Sequence, residues 1–293
     1  MAPSLAPQAQ HRFLWITHAL GGGVERHVAD LRTLLAGRAR VDVLRPAGDG
    51  LVRLERAEGG EEVLSSASWP RLAAVLGGQG YSRLHIHHVD GFSADVLDLP
   101  GLLGLPYDLT LHDYLAYCPL YNLSSPEGGY CGEPDLAGCQ RCQKARPHAW
   151  GLPVATWRAL MHRLLTDADR VLAPSSFVAE RVLSHFPDLR ITVLAHPPRA
   201  EWLAAPVHSV RVLLIGGLTR FKGLEVLRRC AEAARQQMLP LEFTLLGAPE
   251  APIAETPVLP IQLRGPYDDA DLPHRVALER ADGSVSRFDT IVF

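Results

Sequence analysis

The sequence predicts an α/β protein built on parallel sheet, repeated in two successive halves. Short apolar runs alternate with stretches of helical periodicity along most of the chain, the pattern of strands covered by helices on both faces. "RFLWIT" (12–17) and "VRVLLI" (210–215) each lead through glycines into an amphipathic stretch. Between the halves, "AHPPRAEWLAAPVHS" (195–209) carries three prolines and breaks the rhythm, as a linker does.

The elements follow in order. After the first strand, "GGGVERHVADLRTLLAG" places Val24, Val28, Leu31 and Leu34–Leu35 at helical spacing. "RVDVLRP" (40–46) alternates and stops at Pro46, as a strand would. "LVRLERAEGGEEVL" predicts a hairpin or edge strands, and a helix follows near 69–78. "RLHIHHV" (83–89) and "YDLTLHD" (107–113) are further strands, the second entering a cysteine-rich loop over 113–149. A helix over 153–165, a strand at "RVLAPS", a helix at "SSFVAERVLSHF" and a strand at "RITVLAHP" complete the first half. In the second half, a helix follows "GGLTRFKG", and "LEFTLLG" and "IQLRGPY" are strands. The predicted organisation is a disordered tail over 1–10, a first domain over 11–194, the linker 195–209 and a second domain over 210–293.

Composition excludes several classes. A net charge of -3 supplies no basic field for nucleic acid or an anionic membrane. No apolar run reaches the 18 or so residues that span a bilayer. The opening "MAPSLAPQAQHR" lacks the basic and apolar regions of an export signal, so the expectation is a cytoplasmic protein with reduced thiols.

Several residues carry candidate chemistry. Gly21, Gly22 and Gly23 form a strand-to-helix turn where a phosphate or sugar can approach backbone amides; a tight turn that binds nothing is the alternative. The run is not the G-x-G-x-x-G of a dinucleotide fold, which argues against an NAD enzyme. Arg220 and Lys222 in "GGLTRFKG" stand before a helix and could neutralise a diphosphate, or form a solvated face. His112, beside Asp113, ends a strand where an open α/β sheet places a substrate-orienting imidazole; a buried histidine capped by Asp113 is the alternative. Alternation puts His85 and His87 on one face and His88 on the other, which argues against three metal ligands from that run. Cys118, Cys131, Cys139 and Cys142 are separated by twelve, seven and two residues. The Cys-x-x-Cys end suits tetrahedral zinc; unliganded thiols and a disulfide are the alternatives. The loop around them shows no periodicity and needs something to order it. Cys230, at a helical position, is expected in the core.

Together "GGGVERHV", "TLHDYLAYCPLYNL", "ADRVLAPSSFVAERV", "ITVLAHP", "VLLIGGLTRFKGLEVL", "LLGAPE" and "GPYDDADLP" resemble the retaining glycosyltransferases of family 4, which have the GT-B fold. The resemblance spans residues 11–275. It implies two Rossmann-like domains facing a cleft, the first binding an acceptor and the second a nucleotide-diphosphate sugar. Gly21, Gly22, Gly23 and Glu25 would approach donor phosphates or acceptor, with Asp113 and Gly217 also lining substrate. His112 would line the sugar site, and Arg220 and Lys222 would grip the diphosphate and stabilise the leaving group. No cofactor is implied for catalysis, and zinc on the cysteines would be structural. The implied acceptor is a glycan or a lipid-linked glycan, the latter bringing the protein to a membrane surface.

Two departures stand out. The arginine usual after the second-domain glycine turn is absent at Gly216-Gly217-Leu218, and Arg220 is the substitute at hand. After "GPYDDADLPHR" the family pattern continues through further βα units with a Glu-x7-Glu segment, which "VALERADGSVSRFDTIVF" does not match. That tail reads as a hairpin followed by an apolar strand, so the expected second domain is incomplete, with sheet edges that favour oligomerisation. The rival reading is a non-catalytic or truncated relative acting as a binding or scaffolding module.

Overall fold

The computed structural model describes residues 11–196, 210–253, 259–268, 270–272, 276, 278–279, 285–286 and 290–292. It divides into two compact units, Met1–Leu123 with Gly132–His196, and Ser124–Cys131 with Pro197–Phe293. Both are α/β, as the sequence predicts. The tail 1–10 and the linker residues 197–209 lie outside the described residues.

The first unit is an eight-stranded sheet. Strand β1 (His11–Ile16) lies between β2 (Ala39–Gly48) and β5 (Arg83–Ile86), parallel to both. β6 (Tyr107–Thr110), β7 (Arg170–Ala173) and β8 (Ile191–Val193) extend it in parallel on the β5 side. On the other side β3 (Leu51–Glu55) and β4 (Glu61–Ser65) add an antiparallel hairpin, giving the order β4-β3-β2-β1-β5-β6-β7-β8. The chain moves from β1 to β2 on one side and then crosses back to β5 on the other. The carboxyl ends of β1 and β5 therefore flank a topological switch point, where open α/β sheets bind ligands.

Helices α1 (Gly22–Leu35), α2 (Trp69–Gly77), α3 (Leu99–Leu103), α4 (Leu136–Ala145), α5 (Val154–Thr166) and α6 (Ser176–His185) accompany the sheet. Leu14, Trp15 and Ile16 are all buried, because β1 is covered on both faces. Val28, with Leu31 and Leu35 beside it, packs α1 on Trp15, Val41 and Val43. Leu34, expected in that stripe, is exposed. Helix α4 and the short α3 with its 3-10 turn (Ala94–Asp98) have no counterpart in the sequence reading.

Asp42 on β2 is fully buried. Its carboxylate accepts from Arg12, Tyr81 and Arg56 and from the Ala57 amide. Burial alone would raise its pKa, but these donors hold it below the ordinary carboxylate value.

In the second unit β9 (Val210–Ile215), β10 (Leu241–Leu246), β11 (Ile261–Leu263) and β14 (Thr290–Val292) form a parallel sheet in the order β11-β10-β9-β14. Helix α7 (Leu224–Gln236) buries Leu224, Leu227, Ala231 and Ala234 against Phe243, Leu245 and Ile261. Leu213, Ile215, Leu246 and Leu272 form a second cluster, so alternate residues of β9 and of β10 enter different clusters. Cys230, expected in this core, is exposed, one position off the buried stripe. The tail does contain an antiparallel pair, β12 (Leu278–Glu279) with β13 (Val285–Ser286). Its closing strand, which the sequence left without a place, is β14, and it joins β9 in parallel.

Candidate functional site

The carboxyl ends of β1, β5 and β6 gather seven histidines. His18 follows β1, His87 and His88 follow β5, and His112 follows β6. His85 lies on β5, His27 on α1, and His196 follows β8. The strand alternation holds: His85 and His87 stack with ring centres 4.3 Å apart, and Trp15 meets both edge-on. His27 on α1 faces the same group, its ring centre 5.6 Å from His87, 5.0 Å from His112 and 4.3 Å from His196. His87 Nδ1 lies 3.2 Å from His112 Nε2.

His88 turns the other way. Its Nδ1 accepts the Asp90 amide, leaving the proton on Nε2, which donates to Asp113 at 2.9 Å. Asp113 also accepts the Leu115 amide. Its carboxylate thus fixes the turn after β6, but where the capping alternative expected it on His112 it holds His88. His18 uses the same device, its Nδ1 accepting the Leu20 amide at the entry to the glycine turn.

Burial in apolar surroundings penalises the imidazolium, so His27, His85, His87 and His112 are held neutral. The pKa of His112 is lowered to about 2, by burial first and then by the neighbouring histidines. That of His85 falls to about 3 and that of His27 to about 4, again chiefly by burial, and that of His87 drops well below its ordinary value. At neutral pH this group of four presents imidazole nitrogens, not cations. It can accept hydrogen bonds from hydroxyls or bind a metal ion, but it cannot neutralise phosphate.

Gly21 and Gly22 have φ of 71° and 77°, a left-handed conformation that side chains resist, and a Cβ on either would meet nothing within 4 Å. No side chain caps α1, so its first amides lack a side-chain acceptor from the N-cap. Arg45, only 4% exposed, anchors the turn from beneath: it donates twice to Glu25, once to Glu55 and once to the His18 carbonyl. Both Glu25 oxygens are engaged in that pair.

In the second unit, Gly216, Gly247 and Gly265 meet at the ends of β9, β10 and β11. The Gly247 amide donates to the Gly265 carbonyl at 2.8 Å, and the Gly216 amide donates to Leu246 at 2.9 Å. Residues 216–223 then turn into α7. Glu250 accepts the Arg220 amide, and the Thr219 hydroxyl accepts the Lys222 amide. Gly217, Arg220 and Lys222 are exposed on this turn.

The cysteine segment is ordered by protein contacts. Asp135 caps α4 by accepting the Gly138 amide, and α4 carries Cys139 and Cys142 one turn apart. From α5, Trp157 donates to the Leu115 carbonyl and Arg158 to the Tyr117 carbonyl and the Cys139 sulfur. Tyr117 donates to Glu133, which also pairs with Arg181. Cys118, Cys139 and Cys142 belong to the first unit and Cys131 to the second.

The Glycosyltransferase Family 4 profile matches residues 21–197, from the glycine turn through every histidine of the site except His18. The chain belongs to glycosyltransferase family 4. No curated protein sequence matches this family-4 chain. Among solved structures it is similar to the catalytic domain of starch synthase IV from Arabidopsis thaliana bound to ADP and acarbose. The identity is 14%, covering 91% of this chain and 76% of that one, with a TM-score of 0.49. The S. aureus MnaA–UDP complex is 12% identical over 91% of this chain and 72% of that one, with a TM-score of 0.43. TarM is 7% identical over 91% and 78%, with a TM-score of 0.46.

Of the site residues expected for this transferase, Gly21, Gly22, Gly23, Glu25, His112 and Asp113 lie at one end of the first sheet. Gly217, Arg220 and Lys222 lie together on one turn of the second. Sequence reasoning missed His27, His87 and Arg45. His27 falls on the 24-27-28-31-35 stripe of α1, so its inward position was legible there. Arg45 carried no signal, because its partners are 20 and 10 residues away.

Proposed function

We propose that this transferase moves a sugar from a nucleotide-diphosphate sugar to a glycan or lipid-linked acceptor, with retention of configuration. The observation that carries the reading is the placement of His112 at the end of β6, beside the helix that opens at Gly21–Gly23. A neutral imidazole there can accept a hydrogen bond from a sugar hydroxyl, and the uncapped amides of α1 can meet an anionic or hydroxyl group. In the two-domain arrangement typical of the family, Arg220 and Lys222 would supply the charge that the histidine site lacks. They would offset the negative charge that grows on the departing diphosphate. No side chain is assigned as a nucleophile. Asp113, through His88, and Glu25, through Arg45, would hold the substrate-facing turns in place. A lipid-linked acceptor would bring this surface to a membrane, and no helix among the described residues is long and apolar enough to cross one. Structural zinc on Cys118, Cys131, Cys139 and Cys142 is a separate proposal, tested by metal analysis of the purified protein.

The test is a thermal-shift titration with UDP, GDP, ADP and their sugar conjugates. The expected result is nucleotide-selective stabilisation, about 2.7 kcal/mol at a hundred times Kd, that is lost in Lys222→Ala. Sugar transfer should vanish in folded His112→Ala. Absence of any nucleotide shift would overturn the donor assignment and favour a binding module.

A further inference from the structure

We infer that His27, His87 and His112 form a binding site for one divalent transition-metal ion of the zinc class. Their ligand nitrogens all lie within 4.8 Å of one another. Tetrahedral coordination with Zn–N bonds of about 2.0–2.1 Å sets ligand nitrogens about 3.3 Å apart and ring centres about 5 Å apart. Here His87 Nδ1 and His112 Nε2 are 3.2 Å apart, and the three ring centres are separated by 5.0, 5.4 and 5.6 Å. The rings meet at angles of 33°, 66° and 67°, so they converge without being stacked on one another.

A buried polar atom accompanies the cluster. His87 is 2% exposed, and its Nε2 has no hydrogen-bonding partner among the described residues. One of its nitrogens faces another imidazole and the other faces nothing, so either tautomer leaves a buried polar atom unmet. An ion held on Nδ1 would leave Nε2 as an N–H donor, so this atom calls for a water or another acceptor and the metal reading rests on the ring geometry. Imidazole donors without a carboxylate favour zinc, cobalt, nickel or copper over magnesium or calcium. Asp30 acts electrostatically on both His27 and His196, placing one negative charge near the ion. The fourth coordination position is left to water or to His196, whose ring centre is 4.3 Å from that of His27 and which is exposed.

The site does not depend on the transfer reaction. It does share His112 with the sugar role proposed above, so, resting on that reading, a bound ion and a bound sugar would compete.

The experiment is titration of the full chain, free of any polyhistidine tag, with Co2+ as a spectroscopic stand-in for zinc. In the Cys139→Ser/Cys142→Ser background we expect one equivalent with visible ligand-field bands of tetrahedral cobalt, any thiolate-to-cobalt charge transfer in the wild type reporting the separate cysteine site. Binding should weaken at least tenfold in His27→Gln and in His112→Gln. It should persist in His162→Gln and in the double variant Cys139→Ser/Cys142→Ser. Circular dichroism checks that each variant folds. His87, the ligand most needed for packing, is left intact. No cobalt binding, binding indifferent to His27→Gln and His112→Gln, or binding abolished by the cysteine variant would each overturn the site. Transfer assays do not enter this test, so its failure and failure of the proposed function remain distinct.

Discussion

The two glycine turns look alike in sequence and are built for different physical reasons. At Gly21–Gly22 the requirement is conformational: φ is positive at consecutive positions, yet the space above is open. At the second turn φ is positive too, at Gly216, but proximity is added: Gly247 at the end of β10 packs on Gly216, and a Cβ there would stand 2.0 Å from the Gly216 carbonyl oxygen. The first turn is held from below by a buried ionic network, the second by backbone packed on backbone. Their chemistry also divides. The first is surrounded by neutral imidazoles, and its nearest guanidinium is committed to Glu25 and Glu55. The second carries Arg220 and Lys222 on an exposed turn. A charged leaving group and a neutral sugar place opposite demands on a site, and under the proposed function those demands would fall on separate turns.

The largest effect is expected at the crowded turn. Gly247→Ala adds a methyl group where no flexible side chain can give way, at a φ of 144°. The backbones of β9 and β10 would have to part, costing about 3 kcal/mol or more. Denaturant unfolding measures this. A loss below about 1 kcal/mol would mean that the strand ends separate easily and that proximity is not the reason for glycine.

Next comes the anchor of the first turn. Arg45→Met keeps the apolar stem but leaves Glu25, Glu55 and the His18 carbonyl without their donor. The expected cost is about 3 kcal/mol, because a broken buried pair strands its partners. Glu25 retains some solvent access, which lowers the cost relative to a fully buried pair. If the ionic network is what fixes the open turn, adding Glu25→Gln to Arg45→Met should recover part of the loss. Simple additivity would show that the two side chains act independently.

Much of this contrast was not legible in the sequence. The alternation of strands and helices was, because the apolar runs are short and glycines or prolines separate them. So were His112 and the separate faces of His85 and His88, since alternation along a strand is local information. Convergence of His27 with His87 and His112 depends on which strands become neighbours, and no spacing along the chain encodes that. Helix α4 was hidden for a different reason. Its sequence, "LAGCQRCQKA", has little apolar periodicity, and α4 is stabilised by the Asp135 cap and by contacts from α5. The place of β14 escaped because three apolar residues predict a strand but not its partner.

Asp42 tests whether stability and site can be separated within the first unit. It is buried like Arg45, but its partners Arg12, Tyr81, Arg56 and Ala57 do not belong to the glycine turn or the histidine group. Asp42→Asn should cost about 2 kcal/mol at neutral pH while leaving cobalt affinity unchanged. Its folded pKa lies below the unfolded value of 3.8, so its ionic contribution is complete above that value and is lost as pH falls through the folded pKa. The stability gap between wild type and variant should therefore shrink below about pH 3.8. A gap that stays constant into strong acid would mean that the hydrogen-bond geometry matters and the charge does not.

The smallest loss of stability is expected at Gly22→Ala. A left-handed residue other than glycine costs about 1–2 kcal/mol, and nothing nearby adds a steric penalty. The new methyl group would occupy the space over the first amides of α1, where the proposed sugar or phosphate approaches. Stability and ligand binding should thus respond in opposite proportion at the two turns. Gly22→Ala should fold nearly as well as wild type yet weaken nucleotide-sugar or acceptor binding severalfold. Gly247→Ala should lose stability first, with binding lost only because folding is. Unchanged binding in Gly22→Ala would assign those glycines to turn geometry alone and leave His112 as the substrate contact of the first unit.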